Sequence, residues 1–151
     1  MKVRSIARSE VVTTLSGEGL CVAARLMRER HVGFLVVVES TTANAELKVI
    51  GVLTDRDIVT TVIAKEADAR DLKVGDIMTR NPLLVGDSYP LEVALRHMRD
   101  VGVRRVPVVG DRDQLVGVLS LDDVLDALAG ELNDVAGAIR REQHVERTAR
   151  P

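Results

Sequence analysis

Two pairs of oxygen-bearing side chains recur in this sequence with the same spacing. Thr54 is followed three residues later by Asp57, and Ser120 is followed three residues later by Asp123. An aliphatic run that begins with glycine precedes each pair, in the segments 51–57 (GVLTDRD) and 117–123 (GVLSLDD). This pattern predicts a strand that ends at the hydroxyl residue and a helix that begins just after it.

Two kinds of chemistry fit side chains at such a helix N-terminus. In a capping box, the hydroxyl and the carboxylate satisfy the free amides of the first helical turn. In a nucleotide site, those amides attract a phosphate, and the carboxylate accepts hydrogen bonds from a ribose diol. Gly51 and Gly117 would then let a ligand approach the strand ends closely. The residues alone leave both interpretations open.

The two motifs belong to an internal repeat. Residues 20–38 and 91–109, offset by 71, are identical at nine of nineteen positions. The offset falls to 66 where residues 49–54 align with 115–120. The difference predicts a longer loop in the first copy, over residues 39–48.

Each copy shows the periodicities of a strand, an amphipathic helix, two strands and a second helix. Continuous aliphatic strands are typical of sheets covered on both faces, and a unit of about sixty residues would be marginally stable alone. We therefore predict an α/β (α+β) fold of two pseudo-symmetric β-α-β-β-α repeats packed sheet to sheet. The predicted divisions are repeat 1 (1–67), a connector (68–76), repeat 2 (77–130) and a C-terminal helical extension with a tail (131–151).

The last helix is predicted to continue beyond the repeat with an apolar seam. Its members are spaced three and four residues apart, at Leu125, Leu128, Leu132, Val135 and Ile139. The seam packs either on its own domain or on a partner chain. From Arg140 onward, four arginines are mixed with two glutamates, and we expect this tail to be frayed.

Composition excludes several classes of protein. The net charge of −2 argues against broad capture of nucleic acid or membrane surfaces, and one Phe, one Tyr and no Trp leave almost no stacking platform for bases. The single cysteine, Cys21, rules out an internal disulfide and fits a reducing, cytoplasmic setting. No stretch approaches the roughly 18 apolar residues of a membrane span.

Other polar residues give weaker signals. His31, His97 and His144 are scattered and have no neighbouring ligand set, so no metal site is predicted. Arg56 lies between two aspartates, where it is either a solvated charge or a phosphate ligand.

The glycine-to-aspartate motifs, the segment 76–82 (DIMTRNP) and the segment 104–109 (RRVPVV) together resemble the cystathionine-β-synthase (CBS) domain family. In repeat order and spacing, the resemblance covers about residues 3–129 and is to a tandem CBS pair, or Bateman module. It implies a fold of paired repeats and a ligand with an adenosyl group.

The resemblance also implies roles for residues at the matching positions. Asp57 and Asp123 would hold ribose hydroxyls, with Thr54 and Ser120 beside the ribose and phosphate. The first strands would line the base, which maps onto Val12 and Leu83. A basic residue before an apolar residue and a proline would contact phosphate, which maps onto Arg105 and its neighbour Arg104, with Pro107 as the proline.

The first copy departs from this pattern. It has Gly33, Phe34 and Val36 where the second has Arg104, Arg105 and Pro107. We therefore expect the Asp123 cleft to bind phosphate better, and the Asp57 cleft to be weaker, empty or selective for a less charged ligand.

The function implied is a regulatory sensor that binds AMP, ADP or ATP, or else NAD(H) or S-adenosylmethionine, and requires no cofactor. Such a sensor is expected to be a homodimer and to act through a partner protein or a change in assembly. One alternative is a structural dimerisation module with vestigial clefts. Another is a metal-dependent nucleotide hydrolase using Asp55 and Asp57 or Asp122 and Asp123, although no positioned base, nucleophile or P-loop is evident.

Overall fold

A computed structural model of the protein describes residues 1–40 and 46–149. Short 3₁₀ turns lie at Val3–Ser5 and Ala69–Asp71, and a π-helical turn at Val59–Ile63 follows the second helix. The strands and helices, in chain order, are β1 (Thr13–Leu15), α1 (Leu20–Arg30), β2 (Phe34–Ser40), β3 (Leu47–Thr54), α2 (Asp55–Ile58), α3 (Val74–Ile77), β4 (Thr79–Arg80), β5 (Val85–Gly86), α4 (Leu91–Val101), β6 (Arg105–Val109), β7 (Leu115–Ser120) and α5 (Leu121–Ala149).

The strands form two sheets with the same internal pattern. In one sheet the order is β1-β2-β3-β4, and in the other it is β5-β6-β7. The first strand of each sheet runs parallel to the second, and the second pairs antiparallel with the third. The predicted fold of two similar α+β repeats is therefore confirmed.

The segment that precedes each repeat crosses to the other repeat. In the N-terminal segment, Val3 is fully buried in the core formed by α4, β6, β7 and the start of α5, and Arg8 pairs antiparallel with Val118. Conversely, Val74 and Met78 are buried in the core of the first repeat, and β4 pairs with β3. The two repeats are interlocked by this exchange.

A third apolar cluster joins the two sheets. It contains Val36, Val38 and Val49 from the first repeat and Val109 from the second. Valine and leucine dominate all three clusters, as the scarcity of aromatic residues requires. Burial of aliphatic side chains between sheets supplies the main attraction between the repeats.

Several element boundaries differ from the sequence predictions. Val12 and Leu83, which were expected in the first strands, precede β1 and β5. The expected fraying from Arg140 is wrong, because α5 continues as a helix to Ala149. The longer loop predicted over 39–48 includes residues 41–45, which lie outside the described residues, as does Arg150 in the tail.

The apolar seam of α5 is uncovered by its own chain. Its five side chains, Leu125, Leu128, Leu132, Val135 and Ile139, are between 44% and 70% exposed. Packing on its own domain is therefore not the explanation of the seam. No helix in the described part of the chain has the length and apolar character needed to cross a membrane.

The connector between the repeats contains a local ion pair. The side chain of Asp68 accepts hydrogen bonds from the backbone and the guanidinium of Arg70. The side-chain bond from Arg70, and secondarily the backbone bond, hold the pKa of Asp68 below its ordinary value.

Candidate functional site

The first hydroxyl–carboxylate pair forms a capping box. The Thr54 Oγ1 atom accepts a hydrogen bond from the Asp57 amide (3.1 Å), and the Asp57 Oδ2 atom accepts one from the Thr54 amide (2.8 Å). These bonds fix the Asp57 carboxylate where β3 gives way to α2. Its Oδ1 atom has no hydrogen-bond partner within residues 1–40 and 46–149.

The second pair is arranged differently. The Ser120 Oγ atom accepts from the Asp123 amide (3.1 Å) and donates to Asp123 Oδ2 (2.5 Å). Asp123 Oδ1 accepts a hydrogen bond from Arg8 Nε (2.6 Å), so both carboxylate oxygens are engaged. Sequence reasoning missed Arg8, because its proximity to Asp123 depends on the crossing of the N-terminal segment.

Asp57 opens onto a cleft of about 590 Å³ that both repeats line. This volume suits a small organic ligand. The first repeat contributes Gly33, Phe34, Val52, Thr54, Asp55, Arg56 and Asp57, and the second contributes Leu83, Val101, Val103, Arg104, Arg105 and Pro107. We call this space the Asp57 cleft.

Asp123 lines a second cleft of about 600 Å³, the Asp123 cleft. Its walls also come from both repeats. They include Arg8, Glu10, Val11, Val12, Arg30 and Val32 before or within the first repeat, and Arg105, Ser120, Asp122 and Asp123 from the second.

The arginines that the sequence comparison assigned to the Asp123 cleft are divided between the two clefts. Arg104 and Pro107 line the Asp57 cleft, and Arg105 borders both clefts. The two repeats pack face to face, so the start of β6 in the second repeat lies across the cleft from Asp57 of the first. The Asp57 cleft is thus not deficient in positive charge.

The interpretation of the two motif glycines also needs correction. A Cβ atom on Gly51 would lie 2.7 Å from Met78 Sδ and 3.0 Å from the Thr79 carbonyl oxygen. One on Gly117 would lie 2.8 Å from the Arg8 carbonyl oxygen. These glycines permit the crossing segments, rather than a ligand, to approach the strands closely.

Asp122 connects the arginines of the two clefts. Its carboxylate lies 3.3 Å from Arg104 Nη2 and 3.7 Å from Arg105 Nη2. These groups are substantially exposed, so the pairs stabilise the fold little and can be exchanged for a ligand anion. In the described part of the chain, no cluster of three or more His, Cys, Asp or Glu side chains is arranged to hold a metal ion.

Sequence comparison finds relatives that share both repeats. The CBS domain family matches residues 3–64 and 74–130. The CBS domain-containing protein YhcV of Bacillus subtilis is 30% identical over 136 residues, which cover 90% of each chain. An uncharacterized protein of Methanopyrus kandleri is 30% identical over 125 residues, and the match covers 83% of this chain but only 61% of that protein.

Solved structures share the fold. A CBS domain protein from Pyrobaculum aerophilum complexed with AMP has a TM-score of 0.70 and 27% identity, with 82% of this chain and 89% of that chain covered. A CBS domain pair in complex with 5′-methylthioadenosine and S-adenosyl-L-methionine has a TM-score of 0.74 and 23% identity, with coverage of 87% and 98%. Matches over both repeats, in sequence and in structure, show that this chain belongs to the CBS domain family and contains a pair of CBS domains.

Proposed function

We propose that this CBS pair is a regulatory sensor of adenine nucleotides and that the Asp57 cleft is its principal site. The observation that carries the proposal is the Asp57 carboxylate, which the capping box fixes between β3 and α2 and which lines a cleft formed by both repeats. The 27%-identical relative from Pyrobaculum aerophilum, which was solved with AMP, supports an adenosyl ligand.

The lining of the Asp57 cleft suits the parts of a nucleotide. The carboxylate can accept hydrogen bonds from the ribose diol. Arg56, Arg104 and Arg105 supply cations for the phosphate. Apolar side chains from the second repeat, Leu83, Val101 and Val103, offer a surface for the base.

Binding at this position would couple the two repeats. A nucleotide would contact Asp57 of the first repeat and Arg104 of the second, and its phosphate would compete with Asp122 for Arg104. Such a ligand favours whichever arrangement of the repeats lets both contacts form. The output would then pass to a partner protein or to a change in assembly.

We further propose that a second copy of this chain covers the seam of α5, in antiparallel orientation. Between residues 125 and 134 the helix carries three carboxylates, Asp126, Glu131 and Asp134, and no cation. Residues 139–149 carry three arginines against two glutamates. Antiparallel pairing centred near residue 137 brings these oppositely charged halves together and covers the exposed seam, whereas parallel pairing sets the acidic halves side by side.

The assignment of the Asp57 cleft is tested by calorimetric titration of AMP into Asp57→Asn. Asparagine keeps an oxygen that can accept the Thr54 amide but lacks the negative charge. We expect the affinity for AMP to fall about tenfold to over a hundredfold, since a hydrogen bond to a charged group contributes roughly 1.5–3 kcal/mol.

Asp123→Asn, the same change at the equivalent position, is the matched control and should retain the principal binding event. Loss of AMP binding in Asp123→Asn but not in Asp57→Asn would reverse the assignment. If the folded wild-type protein binds neither AMP nor ATP, NADH or S-adenosylmethionine, the sensor is refuted and the structural dimerisation module becomes the better explanation.

A further inference from the structure

Arg8 occupies the carboxylate that would hold ribose in the Asp123 cleft. Both Nε and Nη2 of its guanidinium lie against Asp123 Oδ1, at 2.6 and 2.5 Å. Ser120 Oγ donates a hydrogen bond to the other oxygen, Asp123 Oδ2. The Asp123 side chain is only 12% exposed, so it has little access to water in place of these partners. A ribose diol therefore has no free acceptor at this carboxylate.

The backbone of Arg8 is fixed, whereas its side chain is free to move. The Arg8 amide donates to the Val118 carbonyl (3.0 Å), and the Val118 amide donates to the Arg8 carbonyl (2.9 Å). Gly117 permits this pairing because it has no Cβ atom. The Arg8 backbone therefore holds a fixed position beside Asp123. The Arg8 side chain is 71% exposed, so its guanidinium can turn toward another anion in the cleft.

The other cleft has no such contact. The repeat offset of 71 residues aligns Arg8 with Thr79, which pairs with Val52 as Arg8 pairs with Val118. Threonine has no cation to offer Asp57, and Asp57 Oδ1 is left without a partner among the described residues. The two clefts of this pseudo-symmetric molecule are therefore chemically unequal.

We propose that Arg8 determines the specificity of the Asp123 cleft by making ribose binding depend on an anionic group of the ligand. A neutral nucleoside must break the Arg8–Asp123 ion pair and brings no anionic group of its own for the guanidinium. A nucleotide can take the carboxylate with its ribose and receive Arg8 on its phosphate, an exchange of one charge-assisted contact for another. The inference rests on the proposed adenosyl-binding function and extends it to the choice between charged and neutral ligands.

The test measures binding of adenosine and AMP to the full chain carrying Asp57→Asn, so that the Asp123 cleft is observed. In this background we expect AMP to bind at least about tenfold more tightly than adenosine. Adding Arg8→Thr, which copies Thr79 of the other repeat, should tighten adenosine binding and weaken AMP binding until the preference falls to about threefold or less. Arg4→Thr removes the same charge from the same segment without touching the cleft, and should leave the preference unchanged.

Each result decides the matter, provided that thermal unfolding shows every variant folded. An unaltered preference after Arg8→Thr overturns the inference, as does an equal change after Arg4→Thr. The inference is also overturned if the Asp123 cleft binds neither adenosine nor AMP, with or without Arg8→Thr. In that case, binding of AMP to the wild-type protein would leave the proposed function intact. Absence of any binding to wild type refutes the proposed function and this inference together.

Discussion

The ends of α1 and α4 show how one residue can distinguish two copies of the same element. His31 ends α1 with φ of 55°, and Gly102 ends α4 with φ of 76°. Both amides bond to the carbonyls three and four residues earlier. A left-handed residue at this position is common in proteins, but a side chain there is sterically disfavoured and glycine is not.

We therefore predict that His31→Gly stabilises the protein by about 0.5–1 kcal/mol, since relief of left-handed strain exceeds the added freedom of the unfolded chain. Denaturant unfolding measures the change. Gly102→Ala is the converse control and should lower stability by about 1 kcal/mol or more. A destabilised His31→Gly protein would mean that the imidazole makes a compensating contact.

At the scale of the element, the crossing segments depend on the absence of two side chains. Gly117 lies against the Arg8 backbone, and Gly51 lies against Met78 and Thr79. A backbone carbonyl cannot move aside as a flexible side chain can, so the added methyl group must displace the segment. The contact between each repeat and the segment from the other is thus set at these glycines.

We predict that Gly117→Ala destabilises the protein by about 1–3 kcal/mol, the usual cost of overpacking. Gly137→Ala is the matched control, because a Cβ atom there meets nothing within 4 Å, and alanine should stabilise α5 by roughly 0.5–1 kcal/mol. Thermal unfolding of the two variants measures both changes. Equal effects of the two substitutions would show that the Arg8 segment yields without cost.

Sequence periodicity predicted the helices and strands but not which of them lie next to each other in the fold. The helices α1 and α4 begin at Leu20 and Leu91, the first residues of the two aligned segments. The repeat alignment also identified the capping pairs. The family resemblance placed Arg104 beside Arg105 as a phosphate contact of the Asp123 cleft, whereas Arg104 lines the Asp57 cleft, because matching motifs state which positions are equivalent and not which face each other. Arg8 was missed for the same reason.

At the scale of the whole molecule, α5 is the feature that a single chain leaves incomplete. Helix stability in water comes mostly from packing of an apolar face, and a helix of 29 residues with an exposed seam lacks that packing. Nearly all of α5 beyond Leu128 is exposed to solvent. A second copy is the partner that the charge pattern of its two halves favours.

We predict that the protein is a dimer in solution and that Leu132→Glu, at the middle of the seam where the side chain is 70% exposed, converts it to a monomer. The new carboxylate would lie within the covered seam, and burying an unpaired charge is costly. Asn133→Glu places the same charge next to the seam and should leave the dimer intact. Sedimentation equilibrium distinguishes the masses.

The antiparallel arrangement adds a dependence on salt. Because the acidic half of one helix lies along the basic half of the other, raising ionic strength should weaken the dimer by screening their attraction. In a parallel pair the acidic halves repel one another, and added salt would strengthen association instead. A dimer that survives Leu132→Glu would place the interface on the body of the CBS pair, and α5 would then be free to dock a different protein.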